Sequence, residues 1–162
     1  LVAYVKKKNS IRLWIPKRSS LKKIAPNKFD NTVAGGVSAK ENVYDALQRE
    51  AYEEAGITRS LIKKSNLSGT FHYNWRNKKY SLRRDILYLF DLEVDKKFTP
   101  YCKDGEVDNF QLLDWQDVLK NIKETDNFKK NSALVIIIFL IKKGLINPNN
   151  EEEYEEVNNF IG

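Results

Sequence analysis

GGVSAKENVYDALQREAYEEAGI, residues Gly35 to Ile57, opens on a glycine pair and ends in a dense cluster of charge around Arg49, Glu50, Glu53 and Glu54. From Val43 to Ala55 the spacing is that of an amphipathic helix. At roughly 100° per residue, Glu50 and Glu54 fall on the same arc as Val43, Leu47 and Ala51, with Ala46 and Glu53 at its edge. Two carboxylates therefore continue the apolar stripe instead of opposing it. A solvated acidic helix would carry its glutamates on the far side, whereas a carboxylate aimed at the core is costly without a counter-charge. Like charges at i, i+3 and i+4 also repel. A hard cation bound by oxygen ligands supplies the missing charge. Arg49 lies off the stripe and is expected to pair with Glu41, bracing the loop. Gly56 suits a left-handed helix stop. Gly35 and Gly36 follow the apolar run Thr32–Ala34, expected to be a short strand, and glycine there lets backbone approach a ligand closely. The order strand, glycine turn, loop, helix predicts a loop-helix-loop metal site.

The remaining chain reads as strands first and helices later. Val2–Lys6 and Ile11–Pro16 are expected to form a hairpin about Asn9-Ser10. Leu67–Asn74 and Lys79–Leu82 suggest a second, turning near Arg76-Asn77. Asp85–Val94 is dense in aliphatic and aromatic residues, as a buried strand should be, and Val107–Leu113 is a further strand. Trp115–Ile122, Ser132–Lys143 and Glu151–Phe160 read as helices, the middle one apolar enough to be packed inside. A mixed sheet between helices makes the fold class α/β.

Composition bounds the function. At 162 residues, with 41% hydrophobic content, the chain can bury a real core as a single domain, 1–162. The longest apolar run, Ala133–Ile141, is too short for a membrane span. One cysteine, Cys102, excludes an internal disulfide and fits an intracellular, cytoplasmic setting. Residues 1–40 carry ten lysines and arginines against the single acid Asp30, a field that attracts an anionic substrate. Nucleic acid is disfavoured as a partner, because these lysines are not interleaved with a stacking platform or a helix-turn-helix pattern. His72 sits among Phe71, Tyr73 and Trp75 in a strand, where aromatic residues usually serve packing.

Gly35, Glu41, Arg49, Glu50, Ala51, Glu53, Glu54, Gly56 and Ile57 fill every position of the Nudix box, so the chain resembles the Nudix hydrolases. Ala51 is small where a larger aliphatic is common. The segments Trp14–Ser19, Phe29-Asp30-Asn31, Ile86–Leu92, Phe98-Thr99-Pro100, Asp104–Val107 and Asn131–Val135 are similar to the branch related to thiamine pyrophosphokinase in fungi and plants. Pro26-Asn27-Lys28 departs from it. Members of that branch carry a further domain ahead of the Nudix domain, so the chain reads as an excised piece of a longer one.

The resemblance implies an α/β/α sandwich and a Mg²⁺- or Mn²⁺-dependent diphosphatase. Its small-molecule substrate would be thiamine diphosphate or an oxidised analogue, cleaved to monophosphate and phosphate. Alternatives are a general nucleoside-diphosphate-X or (d)NTP pyrophosphohydrolase, or a catalytically silent binding module. Glu50 and Glu54, with Glu53 and the Gly35 carbonyl, are the candidate metal ligands. Glu53 or Glu106 is the candidate proton acceptor, and Glu41 and Arg49 support the site. Lys17 and Arg18 are candidate phosphate contacts, and Asp30 a candidate contact to the loop or to an amino-bearing heterocycle.

Overall fold

The computed structural model describes residues 1–8, 10–76 and 82–161. Strands β1 (Val2–Lys7) and β2 (Ser10–Arg18) pair antiparallel; the turn at Asn9 lies outside the described residues. Helices α1 (Val43–Ala55) and α2 (Arg59–Ile62) follow. Next come strands β3 (Asn66–Arg76), β4 (Leu82–Glu93) and β5 (Val107–Asp114). Helices α3 (Trp115–Glu124), α4 (Lys130–Lys142) and α5 (Tyr154–Ile161) complete the chain. The sheet order is β3-β4-β1-β2-β5, with β1 parallel to β4 and every other neighbour antiparallel.

Strand alternation divides the core between two faces. Val2, Tyr4, Leu13, Ile15 and Leu89 pack with Val118 of α3 and Val135, Ile136 and Phe139 of α4. Ala3, Val5, Trp14, Phe90 and Leu92 pack with Ala51 and Ala55 of α1 and with Ile57 and Ile62. Helices thus cover both faces of a mixed sheet, the expected α/β/α sandwich. No helix among the described residues is long and apolar enough to cross a membrane.

Three expectations change. Thr32–Ala34 is not a strand; Thr32 meets its neighbours through its side chain, Oγ1 accepting from Ala3 N at 2.9 Å and donating to the Trp14 carbonyl at 2.7 Å. The segment is thereby laced between β1 and β2 without a ladder of its own. The two segments read around Lys79–Leu82 and Asp85–Val94 belong, where described, to one strand, β4. Its polar stretch Arg84–Asp85 stays in register opposite Tyr73 and Asn74; residues 77–81, including the expected turn at Asn77, lie outside the described residues. That strand is continuously buried only from Leu89 to Leu92. Its earlier part, Arg84–Leu89, forms a wall of the cleft described below. His72 is exposed, while its neighbour Phe71 packs against the core.

Candidate active site

The glutamate helix is fixed at both ends. Asn42 caps α1, its Oδ1 accepting the Tyr44 and Asp45 N–H groups at 3.0 Å each. At the other end Gly56 takes φ 63°, with Ile57 N–H donating to the Ala51 carbonyl at 2.9 Å and Gly56 N–H to the Tyr52 carbonyl at 3.2 Å. A Cβ on Gly56 would overlap the Tyr101 ring. Tyr101 N–H donates to the Ala55 carbonyl at 3.3 Å and Lys103 N–H to the Glu53 carbonyl at 2.8 Å. The loop bearing Glu106 is therefore hung from the last turn of α1.

Arg49 binds three glutamates and the glycine loop together. Its Nε and Nη2 meet Glu41 Oε1 and Oε2 at 3.0 and 2.9 Å, the planar bidentate geometry that favours arginine. Nη1 reaches Glu50 Oε1 at 2.7 Å and Glu53 Oε2 at 3.5 Å, and Nη2 donates to the Gly36 carbonyl at 3.2 Å. Glu41 also accepts from Ser38 N, and the hydrogen bonds from Arg49 hold its carboxyl down at about 2. The loop between the glycines and the helix is thus closed by charge-assisted bonds.

Glu54 faces inward, 6% exposed, as its place on the stripe requires. Ala34 N–H donates to its Oε2 at 2.7 Å. Burial nevertheless raises its pKa to about 7, and the charges of Asp30, Glu50 and Glu106 push the same way. Beside it, Glu50 fills the space left by the absent Gly35 side chain: a Cβ there would overlap its Cδ, Cγ and Oε1. Among the described residues no three acidic, cysteine or histidine side chains converge on one point, since Glu50 is turned to Arg49 and Glu54 to the Ala34 amide. The donor set still fits a hard divalent cation. It is all oxygen, it includes a buried carboxylate with no salt bridge among the described residues, and it abuts a backbone position that only glycine leaves open.

Gly35→Ala should separate folding from chemistry. The atoms in the way are the end of a flexible glutamate, so Tm is expected to move by only about 2 °C. The displaced Glu50 carboxylate should lower kcat/KM for diphosphate substrate by about 100-fold, the cost of a misplacement on the ångström scale. A variant with full activity would detach Glu50 from the site.

The proposed phosphate contacts do not converge with the glutamates. Alternation puts Lys17 on the face of Leu13 and Ile15, opposite α1. Arg18 is buried, with Nη1 on Asp30 Oδ2 at 2.6 Å, Nε on the Ala25 carbonyl at 3.1 Å and Nη2 on the Ile24 carbonyl at 3.0 Å. Asp30 is buried too, and also accepts from Asn31 N at 2.8 Å, Lys129 Nζ at 3.3 Å and Ser132 Oγ. Arg18 and Asp30 are occupied with each other and with the scaffold, which for Asp30 is the loop contact, the first of its two expected roles. Glu106 is salt-bridged to Lys22 and half-exposed.

A cleft of about 710 Å³, on the scale of small-molecule sites, opens beside Glu50 and the glycine loop. Its walls include Asn31, Val37, Arg84, Tyr88, Lys129 and Asn131. None of these was read as a site residue from the sequence. Asn31, Tyr88 and Asn131 stand inside segments that carried the resemblance, which was the available signal; Arg84 falls between two expected strands.

Comparison with known proteins agrees with this geometry. The family model described as NUDIX domain matches residues 2–134. Two Arabidopsis thaliana proteins, Nudix hydrolase 24, chloroplastic, and Nudix hydrolase 20, chloroplastic, are 39% and 38% identical over 147 residues, 91% of this chain. The chain spans only about two fifths of their lengths, 40% and 39%. The crystal structure of DR0079 from Deinococcus radiodurans superposes with a TM-score of 0.63 at 23% identity, covering 83% of this chain and 77% of that one, a likeness of fold. With a complete box, the sandwich that carries it and a family match over most of its length, the chain belongs to the Nudix family.

Proposed function

We propose that this domain is a Mg²⁺- or Mn²⁺-dependent pyrophosphohydrolase that cleaves the diphosphate of thiamine diphosphate, or of its oxidised analogues, to the monophosphate and inorganic phosphate. The observation that carries the reading is Glu54, a buried carboxylate with no salt bridge among the described residues, next to Glu50, which lines a cleft sized for a small molecule. Glu50, Glu54 and Glu53, with the Gly35 carbonyl, would hold the cation. When bound, it lowers the pKa of water and offsets charge on the phosphate oxygens.

The chain's own groups do the rest. Arg49 keeps Glu41 ionised and the loop closed. Glu50 exchanges its bond to Arg49 for the incoming ligand. Water attacks the terminal phosphorus, the bond to the bridging oxygen breaks, and the proton of the water passes to Glu53 or Glu106, the half-exposed carboxylates on the last turns of α1 and on the loop hung from it. Tyr88 and Val37, exposed on the cleft walls, offer apolar surface to a ring. The free, half-buried Cys102 suits an intracellular, cytoplasmic protein.

The test is phosphate release with Mg²⁺ or Mn²⁺ from thiamine diphosphate, oxythiamine and oxothiamine diphosphates, ADP-ribose, NADH and several dNTPs. Selective turnover of the thiamine compounds is expected. Preference for nucleotides would move the substrate to the nucleoside-diphosphate-X or (d)NTP class, and silence throughout would make the domain a binding module.

A further inference from the structure

Asn31 is the anomaly of the cleft. It is 7% exposed, and its Oδ1 is buried with no hydrogen-bond partner among the described residues. An unpaired buried acceptor costs about 1–3 kcal/mol, and such groups are rare enough to need a reason. Arg12 Nε and Trp14 Nε1 are also buried without a partner among the described residues, but neither residue lines the cleft. Asp30, the preceding residue, accepts from Arg18, Lys129, Ser132 and the Asn31 amide itself. That last bond fixes the Asn31 backbone. The residue lines the cleft with Gly35 and Glu50, and it lies three positions before Ala34, whose N–H holds Glu54. Fully extended, that is at most about 11 Å. A diphosphate held at the glutamates would therefore present its organic end within reach of Asn31.

We propose that Asn31 reads the organic half of the substrate, its side-chain amide hydrogen-bonding the N–H-bearing edge of a nitrogen heterocycle linked to the diphosphate. The inference rests on the diphosphatase reading for its register in the cleft. An exocyclic amine on a pyrimidine and the edge of a purine base share this chemistry. Sites that hydrogen-bond such an edge reject compounds lacking it, because the protein group is left unpaired.

The experiment is calorimetric binding, with Mg²⁺ present and turnover blocked by methylene-bridged, non-hydrolysable analogues of thiamine diphosphate, ADP and inorganic diphosphate, to wild type and Asn31→Ala. Expected is a 10-fold or greater loss for at least one heterocyclic compound and less than 2-fold change for inorganic diphosphate. Which compound suffers identifies the heterocycle. Tm should stay within about 2 °C or rise, since no internal side-chain bond is removed. Equal weakening of all three ligands, or a Tm lowered by 5 °C or more, would make Asn31 structural and overturn the inference, as would wild type that binds neither heterocycle. Phosphate release by wild type with Mg²⁺, measured in parallel, tests the diphosphatase reading separately: binding that depends on Asn31 without turnover keeps this inference and removes that one.

Discussion

Glu54→Gln is expected to lower kcat/KM by about 10²–10³-fold and, in the metal-free protein, to raise stability at pH 8. The first effect follows from charge. Gln keeps the shape and still accepts the Ala34 N–H, yet it gives up the anion around which cation binding is built. Losing several kcal/mol of charge stabilisation in the transition state corresponds to that factor. The second effect follows from burial, which lifts the carboxyl from 4.5 to about 7. Folding favours the protonated form, so the contribution of Glu54 is fully present below pH 4.5 and is lost as pH rises through about 7. The difference corresponds to about 3 kcal/mol. For a chain of this size each kcal/mol moves Tm by about 2–4 °C. The variant should match wild type near pH 4.5 and exceed it by about 6–12 °C at pH 8 in EDTA. Adding Mg²⁺ or Mn²⁺ should stabilise wild type and not the variant. Thermal melts across pH with and without the metal check this, and unchanged turnover with unchanged metal dependence would remove Glu54 from the ligand set.

What the sequence disclosed depended on whether the information was local. The helix carrying Glu50 and Glu54 was legible because its caps, stripe and stop all lie within Asn42–Ile57, and the inward direction of Glu54 follows from period alone. The sandwich was legible from alternating strands followed by helices. Register was not. Nothing local says that β1 pairs with β4 at Asp91–Glu93, or that Arg84–Leu89 forms a wall of the cleft. Thr32–Ala34 looked like a strand because its composition is right, but Thr32 Oγ1 takes the bond a ladder carbonyl would have taken. Lys17 and Arg18, adjacent in sequence and both basic, were read together as phosphate contacts. Strand alternation sends Lys17 to the other face, and long-range partners claim Arg18.

Asp30→Ala should therefore behave as a stability mutation. Removing Asp30 leaves the Arg18 guanidinium buried without its anion, although the Ala25 and Ile24 carbonyls remain as acceptors, and it strips the acceptor from Lys129 and Ser132 at the start of α4. Breaking one side of a buried pair costs about 3–5 kcal/mol. At about 2–4 °C per kcal/mol the expected fall in Tm is about 6–20 °C. If Asp30 were instead a substrate contact, the same variant would raise KM with little change in Tm. The double variant Asp30→Leu with Arg18→Met separates pairing from packing. Replacing both charges by apolar groups of similar volume removes the uncompensated ion, so the double variant should recover at least half of the lost stability. Failure to recover would mean that the contacts of Asp30 to Lys129, Ser132 and the Asn31 amide, which tie the segment before the glycine loop to α4, matter more than the ion pair.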